Sequence, residues 1–180
     1  MIPLIRDTFI EEHKTKLALA DFILSSNKLS MGIKCFEFEK EFSLFQGRRD
    51  SILFNSGGSA NLALLQSLKN LGRLKNDSKI GFSALTWSTN VMPIIQLGMN
   101  PIALDCDPKT LNVMSKNILD VIQNLDLDAI FLTNVLGFTG DLEKIKEICD
   151  SRNIILIEDN CEALGSVVSG KKSGNYGLAS

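Results

Sequence analysis

The chain has 180 residues, about one domain's worth, and its 44% hydrophobic content can fill a core. A net charge of -2 leaves no electrostatic footprint for nucleic acid. No apolar run approaches the roughly 20 residues of a membrane span. Two helical patterns come first, at about Asp7–Ser26 and Cys35–Phe45. In the second, Phe38, Phe42 and Phe45 share one face, which predicts packing rather than chemistry. Five apolar strand patterns follow: Ile52–Asn55, Lys79–Ser83, Pro101–Asp105, Asp128–Thr133 and Ile154–Glu158. Helical patterns alternate with them at Ser59–Leu71, Ser88–Leu97, Lys116–Leu125 and Leu142–Ser151. Gly72, Gly98 and Asn153 stand where such helices stop. Pro93 lies inside one pattern and predicts a late start or a kink. Alternation of this kind predicts an α/β fold with a mostly parallel, doubly wound sheet. The chain closes on Tyr176-Gly177-Leu178-Ala179-Ser180, which reads as entry into a further strand.

Three places could carry chemistry. Phe54-Asn55-Ser56-Gly57-Gly58-Ser59-Ala60-Asn61 passes through glycines into a helix. Free N–H groups at a helix N-terminus attract anions, and Gly57 and Gly58 let the backbone approach a phosphate. The third glycine of a dinucleotide fingerprint and the Gly-Lys-Ser/Thr of a P-loop are both absent. A plain turn capped by Ser59 is the simpler alternative. Trp87, the only Trp, follows a strand and offers a stacking face; a core or interface Trp is its alternative. The run Ile154-Ile155-Leu156-Ile157 ends at Glu158 and Asp159, followed by Glu162 and Gly165. A carboxylate at a buried strand tip needs a partner, or serves as a cap or an ion pair. All three places follow strand ends that share one rim of a parallel sheet. A phosphate cradle, a stacking face and an acid together suit pyridoxal 5'-phosphate (PLP), whose ring nitrogen pairs with an Asp.

With these motifs in order, the chain resembles the DegT/DnrJ/StrS family of PLP-dependent enzymes that aminate or deoxygenate nucleotide-linked sugars. The resemblance runs from Leu29-Ser30-Met31-Gly32 through Phe38-Glu39-Lys40-Glu41-Phe42 and Asn55–Asn61. It continues through Leu85-Thr86-Trp87-Ser88-Thr89 and Leu136-Gly137 to Glu158–Gly165. It implies the large PLP-binding domain of a fold type I enzyme, incomplete over residues 49–180, with residues 1–48 as a helical segment packed on it. It implies that Gly58 and Ser59 hold the phosphate and that Trp87 stacks on the ring. Asp159 would pair with the ring nitrogen, and Glu162 would take the place where many members carry Gln. It further implies a nucleotide-linked keto sugar as substrate, glutamate as amino donor for transamination, and a homodimer for the full-length protein.

Family members carry a cofactor-linking Lys shortly after the position of Ser180, replaced by His in 3-dehydratases. Neither is present, so the expectation is an N-terminal portion that is inactive alone. Asp159-Asn160-Cys161-Glu162 and Thr86-Trp87-Ser88-Thr89 look closest to dehydratase-like members of lipopolysaccharide sugar pathways. Lys171 and Lys172 fall in a glycine-rich hairpin of the family and read as solvated charges. His13, the only histidine, lies among charges without a metal partner. Cys35, Cys106, Cys149 and Cys161 lack metal-type spacing and read as reduced thiols of a cytoplasmic protein. The N-terminus lacks the pattern of a signal peptide. Two rival readings stay open. One is a non-catalytic relative that binds a sugar nucleotide or a partner subunit. The other is an unrelated doubly wound nucleotide-binding domain.

Overall fold

A computed structural model describes residues 9–180. Two helices, α1 (Glu12–Ser25) and α2 (Ile33–Gln46), precede the α/β part. The start expected at Asp7 lies outside the described residues. No residue of α1 is buried. The rings of Phe38, Phe42 and Phe45 pack on one another, with centroids 5.6 and 6.1 Å apart. Phe38 and Phe45 nevertheless remain about half exposed.

The rest of the chain winds around one parallel sheet. Its elements are α3 (Gly57–Asn70), β1 (Lys79–Ser83), α4 (Ser88–Gln96), β2 (Asn100–Leu104) and α5 (Ser115–Ile122). They continue with β3 (Ala129–Thr133), α6 (Leu142–Arg152) and β4 (Ile155–Asp159). Gly72, Gly98 and Asn153 take left-handed backbone angles just past three of the helices, as their positions predict. The strand order is β2-β1-β3-β4, all parallel. The winding direction reverses between β1 and β3, the kind of place where ligands bind in open α/β sheets.

Side-chain alternation along the strands builds a core on each face. Ile130, Leu132 and Leu156 pack with Ile118 and Ile122 of α5 and Leu142 and Ile145 of α6. Ala129, Phe131 and Ile157 pack with Leu65 and Leu68 of α3 and Ile94 of α4. Every residue of β3 is buried, as befits an interior strand.

The expected strand at Ile52–Asn55 does not form. The stretch pairs with no strand, and Ile52 is 73% exposed. Among the described residues its anchor is the Leu53 N–H, which donates to Glu39 Oε1 at 2.7 Å. An apolar run makes a strand only where a ladder partner stands beside it. Beyond β4, Val167–Val168 (β5) and Lys171–Lys172 (β6) form a hairpin. Ser169 and Gly170 turn it, both with positive φ. Lys172 is not a free solvated charge. Its ammonium lies 3.6 Å from the Phe45 ring centroid and donates to the Phe45 carbonyl. Ala179 bridges in parallel to Ile157, so the last residues do extend the sheet beside β4.

Candidate active site

The C-terminal tips of β1, β3 and β4 meet at the reversal point. The Thr86 and Thr133 hydroxyls lie 2.6 Å apart across the gap between β1 and β3. Thr133 is in register with Asp159 on β4.

Alternation sends the two carboxylates of β4 opposite ways. Asp159 follows Ile157 to the α3–α4 face. Its Oδ2 accepts from Asn90 Nδ2 at 2.9 Å and, at a longer 3.5 Å, from Asn61 Nδ2. Its Oδ1 accepts from the Cys161 N–H at 3.0 Å. Asp159 has no salt-bridge partner among the described residues. Glu158 turns to the other face and is 1% exposed. Its Oε1 accepts the N–H groups of Tyr176 and Gly177 at 2.8 and 2.7 Å. Its Oε2 accepts the Gly174 N–H at 2.8 Å. From the other side Arg48 donates to the carbonyls of Gly174 and Gly177, each at 2.8 Å. The 174–177 loop is thus held between an anion and a cation. Glu158 fastens the chain rather than facing the rim.

Ser56, not Ser59, caps α3: its Oγ accepts the Ser59 N–H at 3.2 Å and lies 3.1 Å from Ser59 Oγ. The first N–H groups of α3 have no partner within the helix and point out of its end. A Cβ built on Gly57 meets nothing within 4 Å, whereas one on Gly58 comes to 3.4 Å from Thr89 Cγ2. The cradle is therefore open at Gly57 and walled by α4 at Gly58. Trp87 stands at the N-cap position of α4 and is 58% exposed, which rules out a core role. Glu162 is exposed, and its Oε2 accepts the Leu136 N–H at 2.8 Å. Leu136 itself is left-handed, with φ 54°.

Pro93 neither delays nor ends α4, which runs from Ser88 to Gln96 around it. Proline has no N–H for the carbonyl four residues back, here that of Thr89. That carbonyl instead accepts from Asn61 Nδ2 at 3.2 Å. The lost helix bond becomes a link between α3 and α4 beneath the acid.

Asn61, Asn90, Thr86 and Thr133 are the site residues to which the sequence reading assigns no role. Asn90 carried a signal: it is a polar residue on the buried face that includes Pro93 and Ile94. His13 is exposed, and no cluster of potential metal ligands occurs among the described residues. All four cysteines are free. Cys161 presents surface to solvent, yet burial around the sulfur and then the Asp159 charge push its thiol up to about 11. No helix among the described residues is long and apolar enough to cross a membrane.

The fit to a pyridine ring bearing a phosphate rests on this donor set. An open helix end offers N–H groups, an exposed indole a flat face, and an unpaired carboxylate an acceptor. Sequence and structure comparisons agree with that chemistry. GDP-4-keto-6-deoxy-D-mannose 3-dehydratase of Yersinia pseudotuberculosis is 34% identical over 158 residues, covering 87% of this chain and 40% of that protein. GDP-perosamine synthase of Vibrio cholerae is 29% identical, covering 88% of this chain and 42% of that protein. The chain thus spans about 40% of the length of the curated relatives it matches. A solved GDP-4-keto-6-deoxymannose-3-dehydratase with a trapped PLP-glutamate geminal diamine superposes with TM-score 0.86 at 29% identity, over 99% of this chain and 46% of that one. The Escherichia coli enzyme with bound hydrated PLP gives 0.84 at 30% identity, over 98% and 45%. The profile of the DegT/DnrJ/EryC1/StrS aminotransferase family matches residues 10–180, and the chain belongs to that family.

Proposed function

We propose that this chain is the cofactor-binding portion of a PLP-dependent enzyme acting on a nucleotide-linked keto sugar. On this reading residues 49–180 form the incomplete cofactor domain, with residues 1–48 as its helical attachment. The observation that carries the proposal is Asp159: a carboxylate at a strand tip, held by neutral N–H donors and, among the described residues, unpaired with a cation. Such a group is ready for a cationic partner.

PLP supplies an electron sink for charge that develops beside the substrate's amine or leaving group. The N-terminus of α3, with Gly58 and the Ser59 hydroxyl, binds the phosphate. Trp87 stacks on the ring. Asp159 holds a proton on the ring nitrogen, and Glu162 supports the ring's polar edge. The group that decides the reaction is expected beyond Ser180: Lys for transamination with glutamate, His for loss of the C3 hydroxyl. We favour the dehydratase side, supported by the Asp159–Glu162 motif and the 34% identity to a 3-dehydratase. Turnover, and the homodimer, are expected of the full-length cytoplasmic protein rather than of residues 1–180 alone.

PLP titration followed by Trp87 fluorescence tests this. Quenching should saturate, and Ser59→Ala should weaken binding by about 1 to 3 kcal/mol, the range for a hydrogen bond to a charged group. Wild-type protein that shows no saturable quenching would overturn the proposal.

A further inference from the structure

We propose that Asn90 is the positioning residue that aims the Asp159 carboxylate, and that Thr133 fixes Asn90 in turn. The inference rests on the reading of Asp159 as partner of a ring nitrogen. Asn90 is 0% exposed, although it lies only three positions after the 58% exposed Trp87. A carboxamide that deep needs partners for both N–H bonds. One goes to Asp159 Oδ2 at 2.9 Å and the other to Thr133 Oγ1 at 3.2 Å. The chemistry fixes the amide's orientation: turned over, it would set its oxygen against the carboxylate.

Thr133 is itself held. Its hydroxyl meets Thr86 Oγ1 at 2.6 Å, and its N–H donates to Ser83 Oγ at 3.0 Å. Ser83 and Thr133 are 1% and 3% exposed. The network therefore runs from the end of β1 through β3 and α4 to β4. Asn61 gives the same oxygen a weaker second contact at 3.5 Å. One short helix thus presents the indole at its N-cap and steers the acid from its buried side. Ring face and nitrogen partner are set by the same rigid body.

The test compares two probes by equilibrium binding: PLP, and 1-deazapyridoxal 5'-phosphate, which keeps the ring face and phosphate but has carbon in place of the ring nitrogen. Wild-type protein should prefer PLP by about tenfold or more, and Asp159→Asn should erase the preference. Asn90→Asp keeps the shape and replaces the donor with an acceptor. Thr133→Val keeps the shape and removes the hydroxyl that locks Asn90. Both should cut the preference at least about threefold, with affinity for the deaza probe unchanged. Loss of the preference in Asp159→Asn alone, with both other variants like wild type, would overturn this inference and leave the cofactor reading standing. Equal weakening of both probes would make Asn90 a residue of the fold and overturn it too. A wild-type protein with no preference would overturn the reading of Asp159, and this inference with it.

Discussion

Glu158 and Asp159 are sequence neighbours with unrelated tasks, and replacing each by its amide should separate stability from binding. Glu158→Gln keeps the side-chain volume. With its carbonyl at the Oε1 position it still accepts from Tyr176 and Gly177. Its amide nitrogen then faces the Gly174 N–H, which now donates to Oε2 at 2.8 Å. The charge-assisted bond from Gly174, worth about 1.5 to 3 kcal/mol, is lost together with the longer one from Asn134 Nδ2 at 3.4 Å, and two others fall to neutral strength. The Gly174 donor is also stranded, which costs about 1 to 3 kcal/mol. Terms within one network overlap. We therefore expect a loss of about 3 to 5 kcal/mol, a large part of the roughly 5 to 15 kcal/mol that holds a domain. Asp159→Asn leaves an acceptor for Asn90 and should cost less than about 1.5 kcal/mol. Urea unfolding followed by circular dichroism measures both. Hydrogen exchange at Gly174, Tyr176 and Gly177 should accelerate only in Glu158→Gln. A Glu158→Gln protein within about 1 kcal/mol of wild type would refute the anion–cation clamp on the 174–177 loop.

Three more outcomes are expected. Trp87→Phe should melt within about 2 °C of wild type in the cofactor-free protein while binding PLP more weakly, because the indole is exposed; scanning calorimetry and titration check the pair. Gly140→Ala drives a Cβ into the Val113 carbonyl oxygen, so it should cost about 3 kcal/mol in denaturant unfolding. At pH 8 Cys161 should alkylate slowly with iodoacetamide for a surface thiol, since its pKa of about 11 leaves little thiolate. The rate should rise in Asp159→Asn, which removes one of the two main causes of that shift.

The parallel sheet was legible because its strands are short apolar runs with helical patterns between them, and the stop signals at Gly72, Gly98 and Asn153 depend only on local backbone. Ile52–Asn55 has the same composition but no neighbour to bond, and no local pattern reports a missing neighbour. Asp159 was legible as the polar end of a buried run. That Glu158 would face away from it follows from strand alternation, but its three backbone donors sit more than fifteen positions ahead in a loop without a strand pattern. The tie from Asn90 to Asp159 spans 69 positions and the tie from Asn61 spans 98, so only the assembled fold brings them together.

The link through Pro93 has an evolutionary consequence. A residue with an N–H at position 93 would compete with Asn61 for the Thr89 carbonyl. The carboxamide of Asn61 would then be free to turn away from the acid. Positions 61 and 93, on different helices, should therefore show epistasis. A helix-friendly Pro93→Ala, favourable by propensity alone, should loosen the site in the presence of Asn61 and be nearly silent there in an Asn61→Ala background. Sequence drift at the proline is thus tied to drift at the asparagine through the carbonyl of Thr89.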